Sequence, residues 1–359
     1  MFDFDAGDEL SLLVETVRGF AADELAPHVR EHEAGRSVSE AAKNAARQIG
    51  LAGLELPEKR GGAGQGALAR ALVNEELAAA DPGAALALDP LGHALSALAE
   101  CGGDDALREL ALPLLAQPGT RAVLLCAGDH ALRVEGERVS GRAPWLPSDR
   151  ADLVVVLGEA GAVAIRTGFE LRSVRGAGLR AAGASELVAA GAPVVAAWSG
   201  ADAAARALAR ARLYVASLLV GCLRHAADFS RRYAMERVAF GRPIAHHQAL
   251  AFLIVDMHMA VDGARLLLHE AAWRADQGLR FEGEAAAAFA EAVEASRLVG
   301  PAGVQILGGH GFMQDYPMEK AMREARALGL LVGGLDRARD AAAGALDAAP
   351  VALTSGEHG

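Results

Sequence analysis

The sequence predicts an α–β–α chain, mostly helical with a small all-β middle domain. Three observations carry that expectation. The 359 residues are 52% hydrophobic but only 4% aromatic, and the apolar share is mostly Ala and Leu, both strong helix formers. Short β-branched runs separated by glycines are confined to residues 120–197. Long stretches of helical periodicity return from about residue 200 to 345.

In the first region, Gly7-Asp8 precedes an amphipathic run to about Glu31, and Ser37 to Ile49 reads as a helix with Ser39 as cap and Gly50 as stop. Leu56 to Gly62 is a loop by its proline and glycine content. Ala67–Ala80 and Ala84–Cys101 follow as Ala-rich helices broken by Asp81-Pro82-Gly83, and Asp104–Leu115 is a shorter one. In the middle, Val123–Cys126, Leu153–Leu157, Ala162–Ile165 and Leu187-Val188 are the expected strands. Helices are then expected over Ala201–Arg237, Gln248–Gln277 and Glu282–Val299, with a frayed polar tail from Ala348. The implied domains are 1–119, 120–197 and 198–359.

A net charge of −11 leaves no dominant basic surface, which argues against nucleic acid as the main partner. Cys101, Cys126 and Cys222 are scattered and odd in number, so they form no disulfide framework, and a reducing cytoplasm is the simplest compartment. The acidic N-terminus lacks the basic region of a signal peptide, and the apolar runs are too short and interrupted for a membrane span. His246-His247 has no Cys or carboxylate to complete a ligand set, so no metal site is expected.

Three blocks carry chemistry. Tyr233-Ala234-Met235-Glu236-Arg237-Val238-Ala239-Phe240-Gly241-Arg242-Pro243-Ile244 runs on to Gln248, and Arg237 offers a forked cation suited to a pyrophosphate. Gln305-Ile306-Leu307-Gly308-Gly309-His310-Gly311-Phe312 has small residues that admit a ligand close to the backbone, with His310 as a candidate ligand-facing group. Arg323-Glu324-Ala325-Arg326 leads to Leu331-Val332-Gly333.

These blocks resemble the acyl-CoA dehydrogenase family, in its patterns Y-x-x-x-R-x-x-F-G-x-P-I-x-x-x-Q, Q-I-L-G-G-x-G-Y and R-D-A-R-x-x-x-I-Y-E-G-T. The resemblance runs over the whole chain and implies a helical N-terminal domain, a β domain and a C-terminal four-helix bundle. It implies that Arg237, Phe240, Gln248, Gln305 and Gly309 hold the adenosine and pyrophosphate end of an FAD that belongs to a neighbouring subunit.

The chain also departs from the family. The base that removes the α-proton of the acyl-CoA is a Glu at one of two positions, matched here by Val332 and Ala211, neither of which accepts a proton. Asp336 is the nearest carboxylate in sequence to Val332, and Glu324 matches the signature's Asp rather than its base. Arg212 matches an Arg near the acyl-CoA site and reads equally as a plain ion-pair partner. Leu125–Asp129 stands where the family has its T-E-P flavin loop, and Trp145-Leu146-Pro147-Ser148 stands for W-I-T-N, with Pro147 offering neither hydroxyl nor N–H.

The resemblance with these losses implies a non-catalytic subunit of a heteromeric, FAD-dependent acyl-CoA dehydrogenase, of the heterotetrameric type used in bacterial steroid side-chain degradation. The catalytic partner would bind the acyl-CoA and share its FAD. Two alternatives stay open: a self-sufficient flavoenzyme with a relocated base and other chemistry, and a ligand-free scaffold.

Overall fold

The computed structural model describes residues 7–347, with side chains to 346. The expected frayed tail and the signal-peptide reading of residues 1–5 lie outside them. Helices α1 (Gly7–Phe20) and α2 (Val29–Gly35) replace the single N-terminal run, joined by a π turn over Ala21–Leu25 and a 3-10 turn at Ala26–His28. Helix α3 (Glu40–Gln48) starts where Ser39 Oγ accepts from Ala42 N, and Gly50 follows at φ 74°.

Helix α4 (Ala67–Ala80) is almost wholly buried, and its first N–H groups, on Ala67 and Leu68, donate to Asp276 at 2.6 and 3.0 Å. The expected helix over 84–101 is two, α5 (Pro82–Leu88) and α6 (Ala94–Glu100). The break is an Asx turn: Asp89 Oδ1 accepts from Leu91 N and Gly92 N, and Pro90 cannot continue the helix. Helices α7 (Gly103–Ala106) and α8 (Leu112–Ala116) flank a second π turn.

Strands β1 (Ala122–Cys126), β2 (Ala131–Glu135), β3 (Arg138–Leu146), β4 (Leu153–Gly158), β5 (Gly161–Ile165), β6 (Phe169–Ser173) and β7 (Ser185–Ser199) form one sheet in the order β1-β4-β5-β7-β3-β2, with β6 also on β7. Only β1–β4 is a parallel pair among the described strands. β7 runs far beyond the expected Leu187-Val188, and β2, β3 and β6 carry no β-branched run to announce them.

Helix α9 (Ala201–Glu236) is followed by a hairpin of β8 (Val238–Ala239) and β9 (Arg242–Pro243). Helices α10 (Gln248–Asp276), α11 (Glu282–Leu307), α12 (Met318–Leu328) and α13 (Gly334–Asp347) complete the chain, α11 continuing through Pro301. α9, α10 and α11 pack together with α4, so the Ala-rich faces of the first and last regions share one core.

Candidate cofactor interface

The turn between α12 and α13 holds Val332, buried and at φ 49°. Its carbonyl accepts from Arg212 Nε at 3.3 Å, across from α9. The next residue, Gly333 (φ 95°), donates its N–H to Asp129 Oδ2 at 2.8 Å, and Arg337 lies 3.6 Å from Asp129 Oδ1. Asp129 ends the short 3-10 turn after β1, so the sheet and the C-terminal helices are clasped at this point.

The space beside Val332 is a cavity of about 50 Å³, walled by Cys126, Asp129, His130, Trp145, Pro147 and Leu331. That is well below the roughly 300–1,000 Å³ of ordinary small-molecule sites. Burial, then the Asp129 charge, pushes the Cys126 thiol up to about 12, so it is a protonated wall and not a nucleophile.

Ala211 is fully buried in α9. Arg212 beside it is buried and does not line the cavity; burial lowers its pKa, with Asp129 acting against that. Asp336 is exposed in the first turn of α13 and does not line the cavity either.

Glu324 is wholly built in. Its oxygens accept from Gly83 N and Leu179 N, both at 3.1 Å, and Lys320 Nζ lies 3.1 Å away. Lys320 also donates to Asp81 at 3.0 Å. Burial raises the Glu324 carboxyl, with Lys320 opposing it; burial works against the Lys320 charge, but Glu324 and Asp81 leave its pKa raised.

The other two blocks meet on the outside of the helical bundle. α9 ends at Glu236, with Arg237 N donating to Tyr233 O at 2.8 Å. Phe240 (φ 54°) and Gly241 (φ 79°) are the central pair of a two-residue hairpin turn. A bulky residue at positive φ is disfavoured, and here it sets Phe240 at the tip, 95% exposed. The Tyr233 hydroxyl shares a 2.8 Å hydrogen bond with His310 Nδ1, and His310 stacks on Tyr316 with centroids 4.7 Å apart. That contact docks the last turns of α9 against the glycine block after α11, and it places His310 in an internal bond.

A Cβ on Gly311 would meet Val304 O at 2.2 Å, so glycine there is required by the chain's own packing. A Cβ on Gly309 would meet nothing within 4 Å, which leaves open space over the backbone. Arg237, Phe240, Gln248, Gln305 and Gly309 are all exposed. His247 bonds Ala239 O and Arg242 within the hairpin, and no group of three metal-ligating side chains forms among the described residues.

The profile of the acyl-CoA dehydrogenase N-terminal domain matches residues 7–118, and that of the acyl-CoA dehydrogenase C-terminal domain matches 199–346. The chain belongs to the acyl-CoA dehydrogenase family. A probable acyl-CoA dehydrogenase, YngJ of Bacillus subtilis, is 28% identical over 91% of this chain and 94% of its own. The acryloyl-CoA reductase (NADH) of Anaerotignum propionicum is 28% identical over 90% and 91%. Butyryl-CoA dehydrogenase from Megasphaera elsdenii superimposes with a TM-score of 0.80 at 23% identity, over 96% of this chain and 100% of that one.

As an acyl-CoA dehydrogenase family member, the chain has the family's N-terminal helical domain, sheet domain and C-terminal helical domain. The sequence reading overlooked Asp129 and Arg337 around Val332. Asp129 was visible only as part of the altered loop after β1; its contact with Gly333 spans 204 residues and leaves no local signal. No helix among the described residues is long and apolar enough to cross a membrane.

Proposed function

We propose that this chain is the non-catalytic subunit of a heteromeric, FAD-dependent acyl-CoA dehydrogenase. One observation carries the reading: Arg237, Phe240, Gln248, Gln305 and Gly309 face outward, while the space at the chain's own base position is about 50 Å³ beside Val332. The five residues fit the adenosine and pyrophosphate end of FAD. Arg237 would take the pyrophosphate through its guanidinium fork, the amides of Gln248 and Gln305 would bond polar edges, and the open backbone at Gly309 would admit close approach. Phe240 would cover the adenine from the hairpin tip.

Bound FAD supplies the acceptor for the hydride removed from an acyl-CoA. In this reading the partner provides the flavin-ring pocket, the carboxylate base and the acyl-CoA cleft. This chain orients the cofactor and excludes water from its far end. The assembly is a heterotetramer in the cytoplasm, and its substrate an acyl-CoA of the steroid side-chain type.

The test is the visible spectrum of the chain alone and co-expressed with a candidate partner. A colourless single chain with a yellow, active complex is expected. A yellow, active single chain would overturn the reading and favour a self-sufficient flavoenzyme. Asp129, the carboxylate at the cavity, is then the residue to examine as the relocated base.

A further inference from the structure

A cavity of about 430 Å³ lies between the π turn Ala21–Leu25, α2, the end of α4, α9 and α12. Its volume is that of an ordinary small-molecule site. The walls are largely apolar, with Ala21, Ala22, Val29, Ala79, Ala80 and Phe229. The space exists because the alanines among them carry a single methyl group where longer side chains would meet. One wall is a π turn, an uncommon backbone form that recurs at functional sites.

The cations around this cavity are already matched. Arg18 pairs with Glu76 at 3.1 Å, Arg30 with Glu33 and Glu319, both at 2.7 Å, and Lys320 with Asp81 at 3.0 Å and Glu324 at 3.1 Å. Among the described residues no lining cation is left for an anionic ligand. Asp315 has no ion pair there either, but it is exposed and solvated.

His225 differs from these groups. It is partly buried on α9, its ring 6.3 Å from that of Phe229 between centroids, and its nitrogens have no hydrogen-bond partner among the described residues. Burial, and then Arg232, hold its pKa down at about 4, so at neutral pH the imidazole offers one donor and one acceptor nitrogen. A polar group without a partner in an apolar wall costs free energy that a ligand oxygen recovers.

We propose that this cavity binds an uncharged, mainly hydrocarbon molecule with one hydroxyl or carbonyl oxygen, the chain against the alanine walls and the oxygen on His225. A charged head would be buried with no counter-charge free to meet it. A bare hydrocarbon would leave His225 unbonded. The cavity shares no residue with the flavin-supporting surface proposed above or with the cavity beside Val332, so the inference stands apart from that reading.

The isolated full-length chain is titrated by calorimetry with decanol, and with decanoate and decyltrimethylammonium as charged analogues of the same tail. Saturable binding of decanol is expected, about tenfold tighter than either charged form, the scale of leaving a charge unmatched. His225→Phe keeps the bulk of the ring and weakens decanol about fivefold, the scale of one neutral hydrogen bond. Ala79→Leu fills the cavity and abolishes binding, while its thermal unfolding shows the fold intact. Either charged analogue binding as tightly as decanol would overturn the proposal. So would an absence of decanol binding, or an affinity unchanged in both variants. If Ala79→Leu fails to fold, an unchanged affinity in His225→Phe alone refutes it.

Discussion

Replacing Arg237 with Ala separates a residue that serves its own fold from one that serves a neighbour. Its backbone N–H and carbonyl, bonded to Tyr233 and Ile244, survive the change. Its exposed guanidinium has no partner among the described residues, so nothing inside the chain is lost. The isolated protein should keep its stability to within about 0.5 kcal/mol, as exposed substitutions usually do, or roughly 1–2 °C in Tm. In the complex, a guanidinium on a pyrophosphate contributes about 1.5–3 kcal/mol, which is roughly 10- to 150-fold in the Kd for FAD. Arg237→Lys should recover only part, because an ammonium keeps the charge and loses the fork. The assay pairs thermal unfolding of the isolated chain with equilibrium dialysis of FAD against the co-expressed complex. An unchanged Kd, or a several-degree fall in the chain's own Tm, would refute the reasoning.

Phe240→Gly should leave the isolated chain within about 0.5 kcal/mol, since relief of the positive φ offsets the added freedom of the unfolded chain. The same variant should weaken FAD retention by the complex in dialysis. Glu324→Ala leaves Leu179 N without its acceptor and Gly83 N and Lys320 with Asp81 alone, and should cost about 3–5 kcal/mol in urea unfolding; a loss below 1 kcal/mol would contradict the buried network. Val332→Glu pushes a longer, charged side chain toward Asp129 in a cavity of about 50 Å³, and should lower Tm without giving the isolated chain dehydrogenase activity. His93, lowered to about 4 by burial and then by Arg121, stays neutral in the fold while the unfolded chain takes up a proton near pH 6.5. The unfolded state therefore binds more protons between pH 6.5 and 4, and stability falls as pH drops through that window. The loss should reach about 2–3 kcal/mol, and His93→Gln should flatten the slope in unfolding measured at pH 7 and pH 5.

Much of this was legible in the sequence where the signal is local. Ser39 marks a helix start, and the Ala-rich periodicity of α9 and α11 marks buried helices. Strands β2 and β3 escaped because exposed charged residues such as Arg133, Glu135 and Arg142 alternate with few β-branched ones. The break at Asp89-Pro90 was written in turn residues but masked by the apolar run around it. The interface blocks could be quoted from the chain; that Tyr233 and His310 join them could not, because that bond spans 77 residues. Likewise the clasp of Asp129 on Gly333 and the cavity beside His225 are products of packing, to which periodicity is blind.

Glu324 has a consequence for how the chain comes apart. Through Gly83, Leu179 and Lys320 it ties the start of α5, the loop before β7 and α12 to one carboxylate. Opening any of the three breaks a bond to one buried carboxylate. Native-state hydrogen exchange should therefore show these distant stretches opening together with one free energy, as a single cooperative unit that crosses the boundaries between helical and sheet regions. Fragments cut at those boundaries would each keep part of a buried polar network without its partners, and would fold poorly alone.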